Sequence, residues 1–252
     1  MSKATRIVEL RPPLERGFDA AYADWKEWES GQFGQYSAVD AQYFAAEFGI
    51  RVPSEARVLE IGFGNGSALA WLHAVGADTY GLEANPLLVE RAGRLLGLGR
   101  AFNDINDPML TALAGTFTHV IALDVVEHVP LNDLPGMLSR IRELLAPGGA
   151  AVLRFPNGDS PFGRITQHGD PTHVTTLGGA RMAFLAERAG LHPELIRAPA
   201  LPIRGAGLAR GCRRLMIHVA RALIEYGVSQ IYFGGRRIPL DRNYTAVLRR
   251  QS

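Results

Sequence analysis

From residue 57 to residue 155, short apolar runs alternate with segments in which apolar positions recur every three or four residues. The first run, Arg57-Val58-Leu59-Glu60-Ile61, predicts a strand that leads into Gly62-Phe63-Gly64-Asn65-Gly66. Residues 67–75 then suit a helix stopped by Gly76. A second strand is expected over 78–84, and Pro86 opens a helix that runs to about Gly97. Residues 100–103 make a short third strand before a polar turn from Asp104 to Pro108, and His119 to Asp124 a fourth. A helix over about 132–146, ended by Pro147-Gly148-Gly149, precedes a fifth strand from Ala150 to Phe155. A helix at about 179–189 and strands at 191–198 and 244–248 close the pattern. Continuous apolar runs, rather than alternating ones, are expected where helices cover both faces of a sheet. The chain therefore reads as α/β: a doubly wound, mostly parallel sheet of seven strands with helices on both faces. Ligands of such sheets bind at the carboxyl ends of the strands, where Glu60, Glu83, Asp104 and Asp124 all fall.

Three segments lie outside this alternation. Residues 1–50 are rich in aromatics, and the spacing of Phe18, Tyr22, Trp25 and Trp28 predicts a helix with one aromatic face. That helix either covers the core or forms a lid over the site, with Tyr36 as a polar handle. The main domain is expected over 51–252, interrupted by insertions at about 157–178 and 201–240. In the second insertion, residues 208–226 predict an amphipathic helix with Cys212, Leu215, Met216, Val219, Leu223 and Tyr226 on one side and Arg210, Arg214 and Arg221 opposite. Core packing explains such a stripe, and so does contact with a membrane surface or an anionic, lipid-linked substrate.

Composition narrows the setting. The 252 residues are 47% hydrophobic and 21% charged, which excludes wholesale disorder. Cys212 is the single cysteine, so no disulfide closes within the chain. With no signal-peptide core and no run of about 20 apolar residues, a cytoplasmic location is expected. A net charge of +2 conceals an asymmetry: from Arg197 onward eleven arginines face two acids, a surplus of nine, and the rest carries −7. Such a basic patch attracts anionic partners, but no nucleic-acid-binding module accompanies it.

The glycine loop decides between two ligand classes. A dinucleotide fingerprint places its third glycine three residues after the second, on Ser67, whereas the third glycine here is Gly66. The resulting E-x-G-x-G-x-G from Glu60 resembles motif I of the class I S-adenosylmethionine-dependent methyltransferases, whose sheet is Rossmann-like. The resemblance continues in order through Gly81-Leu82-Glu83-Ala84-Asn85-Pro86, Asp124-Val125-Val126-Glu127-His128-Val129 and Leu145-Ala146-Pro147-Gly148-Gly149, covering about residues 35–198. It implies S-adenosyl-L-methionine as cofactor, with Glu83 and Ala84 at the ribose and Asp104 and Ile105 beside adenine. Glu60, Gly62, Gly64 and Gly66 would lie against the methionine part, and Leu123 and Asp124 would line the cofactor at the end of the fourth strand.

Candidates for acceptor chemistry are His128, after the fourth strand, and the His168, Asp170 and His173 cluster of the 157–178 loop. His128, His173 and Asp170 are the residues expected to act on the acceptor, as base or clamp. Two imidazoles and a carboxylate also suit metal ligation or turn capping, but no metal is expected. The reading is O-methylation of a small molecule or of a glycan or lipid-linked glycan intermediate, without nucleic acid, with peripheral membrane contact through 208–226 left open and the oligomeric state unassigned. The alternatives are a catalytically silent cofactor-binding protein and a nicotinamide-dinucleotide oxidoreductase.

Overall fold

The predicted strands all form and join one sheet in the computed structural model, which describes residues 32–203 and 207–251. In chain order the elements are α1 (Ala38–Phe48), β1 (Arg57–Ile61), α2 (Ser67–Ala74), β2 (Asp78–Leu82), α3 (Pro86–Leu96), β3 (Ala101–Phe102), α4 (Pro108–Ala112), β4 (Phe117–Leu123), α5 (Leu134–Leu144), β5 (Leu145–Pro156), α6 (Gly163–Gly169), α7 (Gly179–Arg188), β6 (Leu191–Arg197), α8 (Leu208–Tyr232) and β7 (Asn243–Arg250). The strand order is β3-β2-β1-β4-β5-β7-β6. β7 runs antiparallel to β5 and β6, and the other pairs are parallel. β1 pairs with β2 on one side and β4 on the other, so the chain's winding reverses there. Such a reversal opens a crevice outside the carboxyl ends.

Apolar side chains fill both faces. One cluster joins β4 and β5 to α5 and α7 through Val120, Leu138, Ile141, Leu153 and Met182. The opposite cluster packs Phe44 and Phe48 of α1 on Trp71 of α2 and Val58 of β1. The start of α1 is fixed by a capping box, in which Ser37 Oγ accepts from the Asp40 N–H and Asp40 Oδ2 accepts from the Ser37 N–H. Its far end is tied to the last strands: the buried Glu47 accepts from the Arg197 guanidinium at 2.8 Å, from the Ala200 N–H at 2.7 Å and from the Thr245 hydroxyl.

The structure departs from the sequence reading in four places. An unpredicted helix, α4, follows the polar turn directly, capped by Asp107, whose carboxylate accepts from the Met109 N–H with Pro108 in the first turn. α6 lies inside the 157–178 segment. β5 begins at Leu145, so Pro147 and both following glycines belong to the strand rather than to a helix end. The helix after residue 207 runs 25 residues instead of 19, and of the two orientations left open it turns its polar face to the body. Leu215, Met216, Val219, Leu223 and Tyr226 are 52–66% exposed, whereas Arg214 is 9% exposed and donates to the Pro202 carbonyl. Arg221 pairs with Asp241, and Glu225 accepts from the Leu240 N–H, so the polar side holds the helix to the body. Core packing of the apolar stripe is thereby excluded among the described residues. No helix of these residues is long and apolar enough to cross a membrane. The expected Phe18–Trp28 helix lies outside the described residues. Tyr36, the expected polar handle, is exposed and outside the cleft described next.

Candidate active site

A cleft of about 830 Å³ opens at the carboxyl ends of β1, β2 and β4. Its first half is shaped by the glycine loop. Gly62, Gly64 and Gly66 all have positive φ, at 67°, 51° and 72°. A Cβ on Gly62 would sit 2.5 Å from the Val125 side chain, and one on Gly66 2.6 Å from the Phe33 ring. Nine of the ten expected cofactor positions line the cleft: Glu60, Gly62, Gly64, Glu83, Ala84, Asp104, Ile105, Leu123 and Asp124. Gly66 does not; it caps the N-terminus of α2 and lies under Phe33.

The acids of this half differ in how they are held. Glu83 Oε2 accepts from the Gly64 N–H and Oε1 from the Asn85 N–H, both at 3.1 Å. Burial raises its pKa and those backbone donors offset part of the rise. Each oxygen retains a lone pair for a further donor. Glu60 is 3% exposed, and its Oε2 has no hydrogen-bond partner among the described residues. Burial, helped by the nearby Glu83, pushes its pKa up to about 8. Asp124, the one non-glycine residue with positive φ among those described, turns its carboxylate to Arg154 of β5, which donates from Nε at 2.9 Å and from a second nitrogen. Arg154 also donates to Tyr43 Oη at 2.7 Å.

The second half gathers the acceptor candidates. His128 sits in the 3-10 turn Val126–His128, and Asp170 and His173 follow α6; all three line the same cleft. The two imidazoles meet edge to face, with centroids 4.6 Å apart. His128 Nδ1 is 3.3 Å from the Thr172 carbonyl and 2.8 Å from Thr172 Oγ1, and that hydroxyl donates onward to Asp170 Oδ1 at 2.6 Å. A carbonyl only accepts, so Nδ1 carries the hydrogen and the neutral ring's lone pair is on Nε2. His173 Nδ1 meets the Gln167 carbonyl at 3.2 Å, which fixes the same tautomer. His168, the other member of the expected cluster, is exposed and away from the cleft.

Sequence reasoning missed three residues here. Glu127 is 1% exposed, and its main-chain carbonyl accepts from the Val174 and Thr175 N–H groups, fastening the 157–178 loop to the 3-10 turn. Burial, followed by the charge of Asp124, raises its pKa well above the ordinary carboxylate range. Arg154 left a signal, being a cation inside an otherwise apolar strand. Tyr43 left none beyond its place among many aromatics. A second cavity of about 550 Å³ shares Tyr43, Arg154, Ile165 and Asn243 with the cleft and continues beneath α8 between Phe162, Leu201, Ile224 and Leu240.

A family model described as a methyltransferase domain matches residues 37–198. Among solved structures, the complex between the Haloferax volcanii Trm112 methyltransferase activator and a methyltransferase is 18% identical, with a TM-score of 0.60 over 92% of this chain and 97% of that one. A SAM-dependent methyltransferase from Archaeoglobus fulgidus is 21% identical, with a TM-score of 0.53 over 82% and 90%. The mitomycin 7-O-methyltransferase MmcR is 17% identical, with a TM-score of 0.54 over 83% and 52%. At these identities the likeness is one of fold. No curated protein matches the chain.

Proposed function

The chain belongs to the family of S-adenosylmethionine-dependent methyltransferases, and on that premise we propose that it methylates a hydroxyl group of a small molecule or of a glycan, lipid-linked glycan intermediates included. The observation that carries this reading is the meeting, in one cleft, of a cofactor half built on Glu60 and Glu83 with a half built on two imidazoles whose Nε2 lone pairs are set by their neighbours.

The residues of the first half fit the cofactor. Glu83 has a lone pair left on each oxygen, which suits the two hydroxyls of a ribose, and a carboxylate there disfavours a phosphorylated ribose. The unpartnered Oε2 of Glu60 suits the ammonium of the methionine tail. Asp104 and Ile105 border the end of the cleft assigned to adenine. When bound, S-adenosylmethionine supplies a methyl group on a sulfonium carbon already activated for displacement. The protein's task is then to place the acceptor oxygen in line with that carbon and to receive its proton. His128 and His173 present the groups that can take it, and Asp170, through Thr172, keeps His128 in the required tautomer.

The second cavity supports an acceptor with an apolar portion, because its walls beneath α8 are largely side chains of that kind. α8 itself supports delivery from a membrane surface. Its outward stripe of Leu215, Met216, Val219 and Leu223 is accompanied by the exposed Arg210 and Arg213, the composition of a helix that lies in an anionic lipid interface. Transfer of labelled methyl groups from S-adenosylmethionine to a panel of phenols, sugars and lipid-linked sugars tests the reading. Alkali-stable methyl ethers among the products are expected. Binding of S-adenosylhomocysteine with no transfer to any acceptor would favour the catalytically silent alternative, and stabilisation by a nicotinamide cofactor in place of S-adenosylhomocysteine would sink the assignment.

A further inference from the structure

At the acceptor end of the cleft, Glu127, His128 and His173 each bring one ligand-type atom within 4.8 Å of the others. Neither oxygen of the Glu127 carboxylate accepts a hydrogen bond among the described residues, although the side chain is 1% exposed. A carboxyl group buried in this way either keeps its proton or faces a cation, because water is gone and no N–H replaces it. His173 Nε2 lies 3.8 Å from both Glu127 Oε1 and Asp170 Oδ2. That is too long for hydrogen bonds. It is close to the spacing of two ligands of one ion, since bonds of about 2.0–2.2 Å in tetrahedral geometry leave ligand atoms about 3.3–3.6 Å apart. The widest spacing in the cluster, up to 4.8 Å, closes to that range by side-chain movement of about 1–1.5 Å.

The supports of the two rings point the same way. Each imidazole gives its Nδ1–H to a protein oxygen, His128 to Thr172 and His173 to Gln167, and keeps its lone pair on Nε2. Imidazoles that hold metals are oriented by this kind of outer hydrogen bond. The Thr172 hydroxyl in turn donates to Asp170, so the His128 ring is braced through two further residues.

We propose that Glu127, His128 and His173 bind one divalent transition-metal cation at the acceptor end of the cleft. Two imidazoles with a single carboxylate favour an ion such as Zn²⁺ or Fe²⁺ over Ca²⁺ or Mg²⁺, which take mostly oxygen. Of the His168, Asp170 and His173 set that the sequence offered only His173 remains: His128 stands in place of the exposed His168 and Glu127 in place of Asp170. The inference rests on the proposed methylation of a hydroxyl and revises one step of it. An acceptor hydroxyl bound to such an ion would lose its proton more readily, and with His128 and His173 serving as ligands the Asp170 carboxylate would be the base beside it.

The test uses full-length, tag-free protein stripped with a chelator and titrated with Zn²⁺ by calorimetry and with Co²⁺ by visible absorption. One equivalent of Zn²⁺ and a d–d absorption band for Co²⁺ are expected. Glu127→Gln should weaken Zn²⁺ at least about tenfold, Glu187→Gln on the exposed face of α7 should not, and both should bind S-adenosylhomocysteine as the wild type does. Absence of Zn²⁺ binding by the wild type, or equal binding by wild type and Glu127→Gln, overturns the proposal. Binding of S-adenosylhomocysteine without Zn²⁺ would sink the metal site and leave the methyltransferase reading standing, whereas Zn²⁺ binding without S-adenosylhomocysteine would do the reverse.

Discussion

The two ends of the cleft are made in different ways. At the glycine-loop end the work is done by backbone: three positive-φ glycines turn the chain, and main-chain N–H groups of Gly64 and Asn85 hold both oxygens of Glu83. At the acceptor end it is done by side chains from separate segments. His128 meets Thr172 across 44 residues, and the Thr172 hydroxyl passes on to Asp170. A pocket made by one strand-turn-helix unit tolerates few spacings and shows as a motif, whereas one assembled by folding shows only as isolated polar residues.

If the division between the two ends is right, substitutions at each should disturb different quantities. The largest effect is expected from His173→Ala: turnover should fall about 100- to 1000-fold while S-adenosylhomocysteine affinity changes less than about threefold. Single-turnover methyl transfer and calorimetry measure the two separately, and a parallel loss of both would erase the division. Glu83→Ala should show the complementary pattern, with S-adenosylhomocysteine affinity lowered about 100-fold through loss of two charge-assisted hydrogen bonds. Affinity within about threefold of wild type would remove Glu83 from the cofactor site.

The same contrast sets what could be read in advance. The doubly wound sheet and the cleft's position follow from the apolar runs and from the acids at their ends, because burial on both faces leaves few other arrangements. Gly66 was legible as a required glycine but not in its role, since what excludes a side chain there is the ring of Phe33, 33 positions upstream, and not a ligand. Glu127 stood in a recognised run, yet nothing local signals that its carboxylate ends up unpartnered beside His173. For α8 the periodicity was right, and which side faces the body was left open. A stripe seen in sequence says that one face is apolar, and only Arg214 at the Pro202 carbonyl and Arg221 at Asp241 reveal that the polar face is the one held inward.

Glu60 sharpens the comparison at intermediate size. In the free protein its pKa of about 8 leaves it protonated at neutral pH, with Glu83 and Arg154 the charges that face it. An ammonium placed beside it favours the carboxylate and lowers that pKa, so binding releases a proton. Affinity for S-adenosylhomocysteine should therefore climb with pH, by at most about tenfold per unit, and level off above the free-state value of about 8. Stability of the free protein runs in the opposite sense. The folded-state pKa is raised above the ordinary value of 4.5, so this group's contribution is full below that value and fades as pH rises to about 8. Calorimetry in buffers of different ionisation enthalpy detects the released proton, and Glu60→Gln should abolish the slope. A flat profile in the wild type would separate Glu60 from the amino-acid tail.

The smallest effect on the enzyme itself is expected at α8, where the outward apolar face makes the argument. Were the stripe packed in a core, replacing Met216 and Leu223 by serine would cost several kcal/mol each, and the melting temperature would drop steeply. Both side chains are about two-thirds exposed, at 65% and 66%, so the double substitution should change stability by less than about 1 kcal/mol and leave turnover on a water-soluble acceptor intact. Flotation with vesicles should respond instead: the wild type should rise with anionic vesicles and the double variant should not. Equal behaviour on anionic and zwitterionic vesicles would remove the membrane surface as the occupant. The charge responsible has to come from Arg210, Arg213, Arg236 and Arg237, which are exposed, because Arg214 and Arg221 are already engaged with the body. Replacing those four by glutamine should therefore abolish the anionic preference with the apolar stripe intact.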